Sequence, residues 1–289
     1  MDIRAILMGL AFAAMWSSAF TSARIIVADA PPITALALRF LISGLLAVGL
    51  ARMMGQSWSL TRAQWRATVI FGVCQNALYL GLNFVAMQTI EASLAAIIAS
   101  TMPLLVALAG WLFFSERLSG LAAGGLAAGF LGVALIMGSR FGGGVDLFGI
   151  GLCVIGVIAL TVATLSLRGA TSGGDFMMIV GLQMLVGSAV LWPVSLALET
   201  ITVTWSLKLV LAFIYTTLVP GLAATLVWFF LVNRIGAVRA ATFHFLNPFF
   251  GVAVAAVLLG EQLGPLDILG VTIIAAGILA VQRARLTAQ

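Results

Sequence analysis

Ten apolar runs, each about as long as a membrane is thick, constrain this chain more than any other feature. A helix needs roughly 20 apolar residues to cross the hydrocarbon core of a bilayer. Of the 289 residues, 63% are hydrophobic and 8% are charged, whereas a soluble domain carries about 25% charged residues. The sequence therefore predicts an all-α integral membrane protein with short connections. The predicted spans are 5–27, 33–53, 67–88, 92–114, 119–138, 147–168, 176–197, 208–231, 237–259 and 266–284.

The basic residues predict the orientation of these spans. With the N-terminus inside, most of the 14 basic residues lie on the cytoplasmic side, three lie outside (Arg24, Arg140 and Lys208), and Arg39 falls within the second span. Cytoplasmic loops are enriched in Lys and Arg, so we expect both termini in the cytoplasm and interpret the net charge of +5 as topology rather than nucleic-acid binding. The cytoplasmic set is Arg4, Arg52, Arg62, Arg66, Arg117, Arg168, Arg234, Arg239, Arg283 and Arg285.

The two halves of the chain match each other at an offset of 145 positions. Pro103 aligns with Pro248 and Glu116 aligns with Glu261, and several alanines and glycines match at the same offset. Such self-similarity is the signature of a repeat architecture. Each half holds five spans, an odd number, so the second half enters the membrane from the opposite side. The sequence predicts two inverted five-helix repeats, residues 1–140 and 146–285, an architecture associated with alternating access. Because the first span has a counterpart in the second half, we expect it to be retained rather than cleaved as a signal peptide.

Three stretches resemble a known family: "RFLISG", "PLLVALAGWLFFSERLSGLAAGG" and "NPFFGVAVAAVLLGEQLGPLDILG". In the last two, a mid-span proline is followed by Glu–x–Leu and then by a glycine-bearing span. Over essentially its whole length the chain resembles the ten-span EamA-type members of the drug/metabolite transporter superfamily. Among them it looks most like the aromatic amino acid exporters of the bacterial inner membrane. The resemblance implies a transporter of a small molecule.

Two prolines lie near the middle of equivalent spans. Proline removes one backbone hydrogen bond and clashes with the preceding turn. Pro103 and Pro248 could each be a simple packing kink. Their equivalence in the two repeats favours a pair of gating kinks, at which one helix bends as one gate opens and the other closes.

The only histidine, His244, lies one turn before Asn247 in the ninth span. Residues three apart share a helix face, and polar groups are costly in lipid unless they are paired or face water. This face should therefore point inward. Three roles for His244 stay open: a hydrogen bond to a neighbouring helix, contact with substrate in a cavity, or proton coupling.

Further polar and aromatic residues are candidates for a cavity wall. Gln75, Tyr79 and Asn83 recur every four residues in the third span, where they either join helices or line a cavity. Trp16 would add an aromatic surface suited to an apolar ring. Ser100 lies near the equivalent of the 244–247 face, although its hydroxyl could bond a local carbonyl. The predicted substrate-binding residues are Trp16, Gln75, Tyr79, Asn83, Ser100, His244 and Asn247.

The positions of the charged residues restrict the substrate. All nine acidic residues fall in loops or at span ends, so no carboxylate at mid-membrane is available to neutralise a lipophilic cation or to relay protons. The spans also lack the cluster of basic residues expected for phosphates; Arg39 alone lies inside, in a structural or a functional role. A neutral or zwitterionic substrate with an apolar body fits best, its charged ends met by amides, hydroxyls and kinked backbone.

The predicted function is export of aromatic or other apolar amino acids by alternating access between the repeats. The alternative is export of another small metabolite or drug on the same fold. A membrane enzyme is disfavoured because one histidine and two separated cysteines provide no nucleophile–base or metal set, and a channel because no ring of charges is visible. We expect no cofactor and no bound metal. The expected partners are a small-molecule substrate and the lipid bilayer, and a ten-span inverted repeat can work as a monomer.

Overall fold

The computed structural model describes residues 2–116, 118–141, 146–166 and 175–287, and these residues form helices and loops without a β-strand. Among them, ten helices are long and apolar enough to cross a membrane. The prediction of ten spans is confirmed, with ends that agree within a few residues. Arg117 and Arg168, two of the basic residues used to predict the orientation, lie outside the described residues. The helices are α1 (Ile3–Asp29), α2 (Pro32–Met53), α3 (Arg62–Ala86), α4 (Ala92–Phe114), α5 (Gly120–Gly138), α6 (Leu147–Ser166), α7 (Phe176–Leu198), α8 (Leu207–Ile235), α9 (Arg239–Leu259) and α10 (Pro265–Ala284).

Four of the ten helices are irregular. Helix α4 is interrupted at Thr101, between the segments Ala92–Ser100 and Met102–Phe114. Helix α9 passes through a 3₁₀ segment, Thr242–Leu246, before the segment Asn247–Leu259 begins. Helices α3 and α8 contain π-helical stretches, Gly72–Tyr79 and Val219–Ala223. Stretches of this kind often occur at functional sites.

The chain forms two compact units. The first contains Met1–Thr21, Thr89–Ile150 and Ala223–Gln289, and the second contains Ser22–Gln88 and Gly151–Leu222. Each unit therefore takes segments from both halves of the sequence. The boundaries of the predicted repeats, 1–140 and 146–285, remain a prediction about sequence origin and differ from these units.

Glycines allow close packing of α5 on α10 in the first unit. A methyl group at Gly125 would lie 2.7 Å from the Gly277 carbonyl oxygen, and one at Gly132 would lie 2.8 Å from the Gly270 carbonyl oxygen. Small residues let membrane helices approach until their backbones touch. In the same unit α4 and α9 meet where a methyl group at Gly251 would lie 2.6 Å from the Ala96 Cβ.

The second unit is organised around α2 and α7. A methyl group at Gly181 would lie 2.9 Å from the Val48 nitrogen, so these two helices also pack at a glycine. The Glu199 carboxylate, which follows α7, accepts hydrogen bonds from the amides of Ile33 and Thr34 at 2.7 and 2.8 Å. A carboxylate at a helix N-terminus satisfies free amides and complements the helix dipole. It therefore fixes the start of α2 to the end of α7.

Candidate functional site

A cluster of four rings lies in the first unit, and Phe12 is at its centre. The Phe12 ring centroid lies 4.6 Å from that of Trp228, 5.7 Å from that of Trp16 and 5.4 Å from that of His244, with an edge-on approach to the imidazole. Trp228 and His244 are themselves 5.1 Å apart. Tilted and edge-on ring pairs of this kind are favourable beyond the area they bury. We call these four residues the aromatic cluster.

Packing behind the aromatic cluster fixes its position. Phe243 is 6% exposed and packs with Ala5, Leu231 and Ala240. A methyl group at Gly9 would lie 2.3 Å from the Phe243 ring, so only glycine fits there. Trp228 packs against the same apolar group. The 3₁₀ segment is thus held on one side by Phe243, while His244, the next residue, joins the cluster.

His244 is hydrogen-bonded to Asn247. The Asn247 side-chain amide nitrogen lies 3.0 Å from His244 Nδ1. An amide nitrogen can only donate, so Nδ1 accepts in this arrangement. The pairing at i and i+3 agrees with the shared face expected from the sequence. The hydrogen bond of His244 Nδ1 is made to Asn247 in the same span, not to a neighbouring helix.

The other side-chain atom of Asn247 has no partner. Asn247 Oδ1 is buried and no described residue donates a hydrogen bond to it. The backbone carbonyl of Asn247 is different, because it accepts a hydrogen bond from Ser17 Oγ at 3.1 Å. A buried polar group without a partner is costly. Asn247 Oδ1 therefore has unused capacity to accept a hydrogen bond.

The two prolines occupy equivalent places in their helices. Pro103 and Pro248 are each the second residue of the segment that follows the interruption, and both are buried. Proline is well tolerated there because the first amides of a helix have no intrahelical acceptor. A gating role for these interruptions stays a prediction.

The polar residues before Pro103 bond within their own helix. Ser100 Oγ donates to the Ile97 carbonyl and Thr101 Oγ1 donates to the Ile98 carbonyl, each at 2.7 Å. These are the local bonds that the sequence left open as an alternative for Ser100. Ser100 is 5% exposed.

The predicted residues of α3 belong to the second unit, whereas the aromatic cluster belongs to the first. Tyr79 is 2% exposed and Asn83 is 1% exposed. Asn83 Nδ2 donates to the Tyr79 carbonyl at 2.7 Å, and its Oδ1 accepts from Cys153 Sγ at 3.3 Å. Asn83 thus links α3 to α6 within this unit. Gln75 is half-buried, and the π-helical stretch changes the spacing that would align it with Tyr79.

Sequence reasoning does not single out Phe12 and does not assign Trp228. Both are apolar or amphipathic residues in apolar spans, where periodicity distinguishes poorly between residues that face lipid and residues that face protein. One signal was available, because Phe12 and Trp16 are four apart and therefore share a helix face. No comparable local signal connects Trp228 with His244.

The structure confirms where the acidic residues lie. All nine are described: seven are outside the ten helices, and Asp29 and Asp267 are in terminal turns. Within the described part of the chain, no group of three His, Cys, Asp or Glu residues could hold a metal ion. The chemistry available at the aromatic cluster is therefore ring contact and neutral hydrogen bonding.

Comparison with known proteins shows the family. The model of the EamA-like transporter family matches residues 3–138 and again residues 147–282. The uncharacterized transporter YvbV of Bacillus subtilis is 25% identical over 250 residues, 86% of this chain and 82% of that protein. Protein PecM of Dickeya dadantii is 23% identical over 272 residues, 91% of this chain and 86% of that protein. A solved structure that is 19% identical covers all of both chains with a TM-score of 0.69, which shows the fold. With two matches that together span nearly the whole sequence, this protein is a membrane transporter that belongs to the EamA-like transporter family.

Proposed function

We propose that this protein exports aromatic or other apolar amino acids across the inner membrane of a bacterium, with both termini in the cytoplasm. The observation that supports this most directly is the aromatic cluster beside Asn247, whose Oδ1 is buried without a partner. An apolar side chain, above all an aromatic ring, would pack against Trp16 and Trp228. The substrate ammonium group would donate to Asn247 Oδ1.

The proposed mechanism is alternating access between the two inverted repeats. The interruptions at Pro103 and Pro248 lie in equivalent helices, and both prolines follow a break in the backbone ladder. A helix bends more easily where its hydrogen bonds are already broken. We propose that bending at these two points opens one side of the path as it closes the other, in a protein that works as a monomer.

We propose the following contributions for the remaining predicted residues. Gln75, Tyr79 and Asn83 act within the second unit, Tyr79 and Asn83 mainly through packing because they are almost fully buried. Ser100 acts through the backbone of α4, since its hydroxyl is bound to the Ile97 carbonyl. His244 orients Asn247 and contributes a ring edge.

The test is counterflow of labelled tryptophan into proteoliposomes that are preloaded with unlabelled tryptophan. We expect transient accumulation that added phenylalanine suppresses, and a loss of at least tenfold in the initial rate for His244→Ala. Thr242→Ala is the matched control, because Thr242 is in the same 3₁₀ segment and its hydroxyl bonds only the Arg239 carbonyl. We expect that control to keep its rate.

Absence of accumulation by folded protein would overturn the amino acid proposal. Another small metabolite or drug would then be the substrate of this family member. An equal loss of the initial rate in His244→Ala and Thr242→Ala would be consistent with tryptophan transport but would contradict a place for His244 in the binding site.

A further inference from the structure

Arg39 is a charged side chain inside a membrane-spanning helix. It lies in α2 (Pro32–Met53) and is 5% exposed. Burying a charge costs several kcal/mol unless it is paired, and intramembrane charges usually serve a function.

No described carboxylate of the second unit pairs with this guanidinium. Among the described residues no group bonds Arg39 Nε, and the recorded contact of the guanidinium is with the Phe40 ring, 5.2 Å from Cζ to the centroid. The second unit contains three carboxylates, and each is bound elsewhere. Asp29 accepts from Ser206 Oγ at 3.0 Å, Asp175 accepts from the Ser57 amide at 2.8 Å and Glu199 accepts from the Thr34 amide at 2.8 Å.

Gly221 lies beside the guanidinium. A methyl group at Gly221 would lie 3.2 Å from the Thr216 carbonyl oxygen, 3.4 Å from Ser43 Oγ and 3.5 Å from Arg39 Nη2. A side chain at 221 would therefore contact both polar groups. Gly221 follows Pro220 in the π-helical stretch Val219–Ala223, so the backbone of α8 is irregular where it passes Arg39.

Ser43 adds a hydroxyl on the same face of α2. It follows Arg39 by four residues, which places the two side chains one above the other. Ser43 Oγ donates to the Thr217 carbonyl with a long separation of 3.4 Å. A hydroxyl with so weak a bond can turn to donate to a better acceptor, which a carboxylate would provide.

We propose that Arg39 and Ser43 form a site, within the second unit, for a ligand that carries a single carboxylate. This inference rests on the proposed transport of amino acids and names the group that the second unit recognises. The planar fork of a guanidinium binds a carboxylate with two parallel hydrogen bonds. One arginine suits a monocarboxylate better than a phosphate, which carries more charge. A ligand carboxylate would meet a fixed positive charge there, whereas the sequence predicts amides, hydroxyls and kinked backbone as its partners.

The test compares two ligands that differ in one charge. Indole-3-propionate and indole-3-propanamide have the same ring and chain, but only the first carries a carboxylate. Isothermal titration of the purified protein in detergent should give tighter binding of the acid in the wild type. Arg39→Gln should weaken binding of the acid about tenfold to a hundredfold, the range expected for a hydrogen bond to a charged group, and leave the amide unchanged.

Three further variants make the result specific. Arg66→Gln removes an exposed arginine of α3 in the same unit and should bind the acid as the wild type does. Arg39→Lys keeps the charge without the fork and should show an intermediate loss. Gly221→Ala keeps Arg39 but narrows the space beside it, so it should weaken acid binding even if Arg39→Gln fails to fold.

The outcomes separate this inference from the proposed function. Equal affinity for acid and amide, binding of neither, or preference for the acid that survives in both Arg39→Gln and Gly221→Ala would overturn the carboxylate site. Preference for the acid that depends on Arg39, together with no tryptophan counterflow, would keep the site and reject the amino acid substrate.

Discussion

The interruptions of α4 and α9 occupy equivalent positions in the two halves, yet they differ in what surrounds them. In α4 a single residue, Thr101, separates the two segments. The hydroxyls of Ser100 and Thr101 donate to carbonyls of the same helix. In α9 the interruption extends over Thr242–Leu246 and includes His244, which contacts two aromatic rings.

This difference suggests a division of labour between the two halves. Both keep the proline and the break, to which we assign the proposed bending. Only the α9 interruption combines rings with an unpaired acceptor, Asn247 Oδ1. We infer that a shared hinge has been retained in both halves while ligand chemistry has been concentrated in one. The predictions below test this inference.

The largest effect is expected for Asn247→Leu compared with Ser100→Ala. The first removes the free acceptor and the partner of His244 Nδ1, so the initial rate of tryptophan counterflow should fall at least tenfold, as expected for loss of a hydrogen bond to a charged group. The second removes a hydroxyl that bonds only the Ile97 carbonyl and should change the rate less than about twofold. Comparable losses in both variants would contradict the proposed division.

The next effect concerns the prolines themselves. Proline in a helix interior costs about 3 kcal/mol relative to alanine, and it costs less in the first turn of a segment, where Pro103 and Pro248 lie. Pro103→Ala should allow α4 to continue through its one-residue break, which would slow exchange several-fold and raise the thermal midpoint in detergent. Pro248→Ala should do less, because Phe243 and His244 hold the longer 3₁₀ segment in place.

Exchange rates and melting curves of the two proline variants, measured side by side, check this. A faster exchange in Pro103→Ala would argue against a hinge at that point. An effect of Pro248→Ala larger than that of Pro103→Ala would mean that the contacts around α9 do not hold its break.

A smaller effect is expected at the start of α4. The Glu261 carboxylate accepts hydrogen bonds from the amides of Ala92 and Ser93 at 2.8 and 3.0 Å. Glu261→Gln keeps the shape and removes the charge, so the free energy of unfolding should fall by about 1 kcal/mol, the usual contribution of a helix cap. Gln262→Ala, at an exposed neighbouring position, is the control, and thermal unfolding in detergent is the measurement. No difference between the two variants would show that the cap contributes nothing.

The smallest effect concerns a pair of aspartates at equivalent positions of the two halves. The hydrogen bond from Arg234 lowers the pKa of Asp2, and the hydrogen bond from the Thr89 hydroxyl lowers the pKa of Asp146. A folded-state pKa below the ordinary 3.8 adds stability that is present above that value and is lost as the pH falls through the lower value. Both side chains are in contact with solvent, so the effects should be slight.

Melting curves of Asp2→Asn and Asp146→Asn across pH check this expectation. Each variant should melt slightly below the wild type by a constant amount from pH 5 to pH 8, a range chosen to lie above both pKa values. The difference should shrink below about pH 4. A difference that grows with acidity would reverse the sign and refute the assignment.

The positions of the helices and of the paired breaks could be predicted from the sequence because they depend on local composition. A span needs a minimum length of apolar residues, and Pro103 and Pro248 interrupt the backbone ladder in any context. Matched glycines such as Gly125 and Gly270 also mark small faces suited to close helix packing. These properties follow from residue types alone.

The neighbours of each side chain could not be predicted in the same way. Phe12 and Trp228 lie in runs where an aromatic residue facing lipid and one facing protein look alike. Asn83 looks like a cavity residue by spacing, but the structure pairs it with Cys153 on α6. The π-helical stretch Gly72–Tyr79 contains no proline, so the sequence gives no signal of an irregular helix there. The surroundings of Arg39 could not be predicted either, because they depend on contacts between distant segments.

The composition of the two units has a consequence for how the protein is made. Each unit needs segments from both halves of the chain, so a ribosome that has synthesised only the first five helices has completed neither. The amides of Ala92 and Ser93, for example, donate to the Glu261 carboxylate, which is synthesised about 170 residues later. Final assembly must therefore follow insertion of the second half. In evolution the same interleaving means that exchanging one half with that of a relative would alter both units at once, so the two halves are expected to change together.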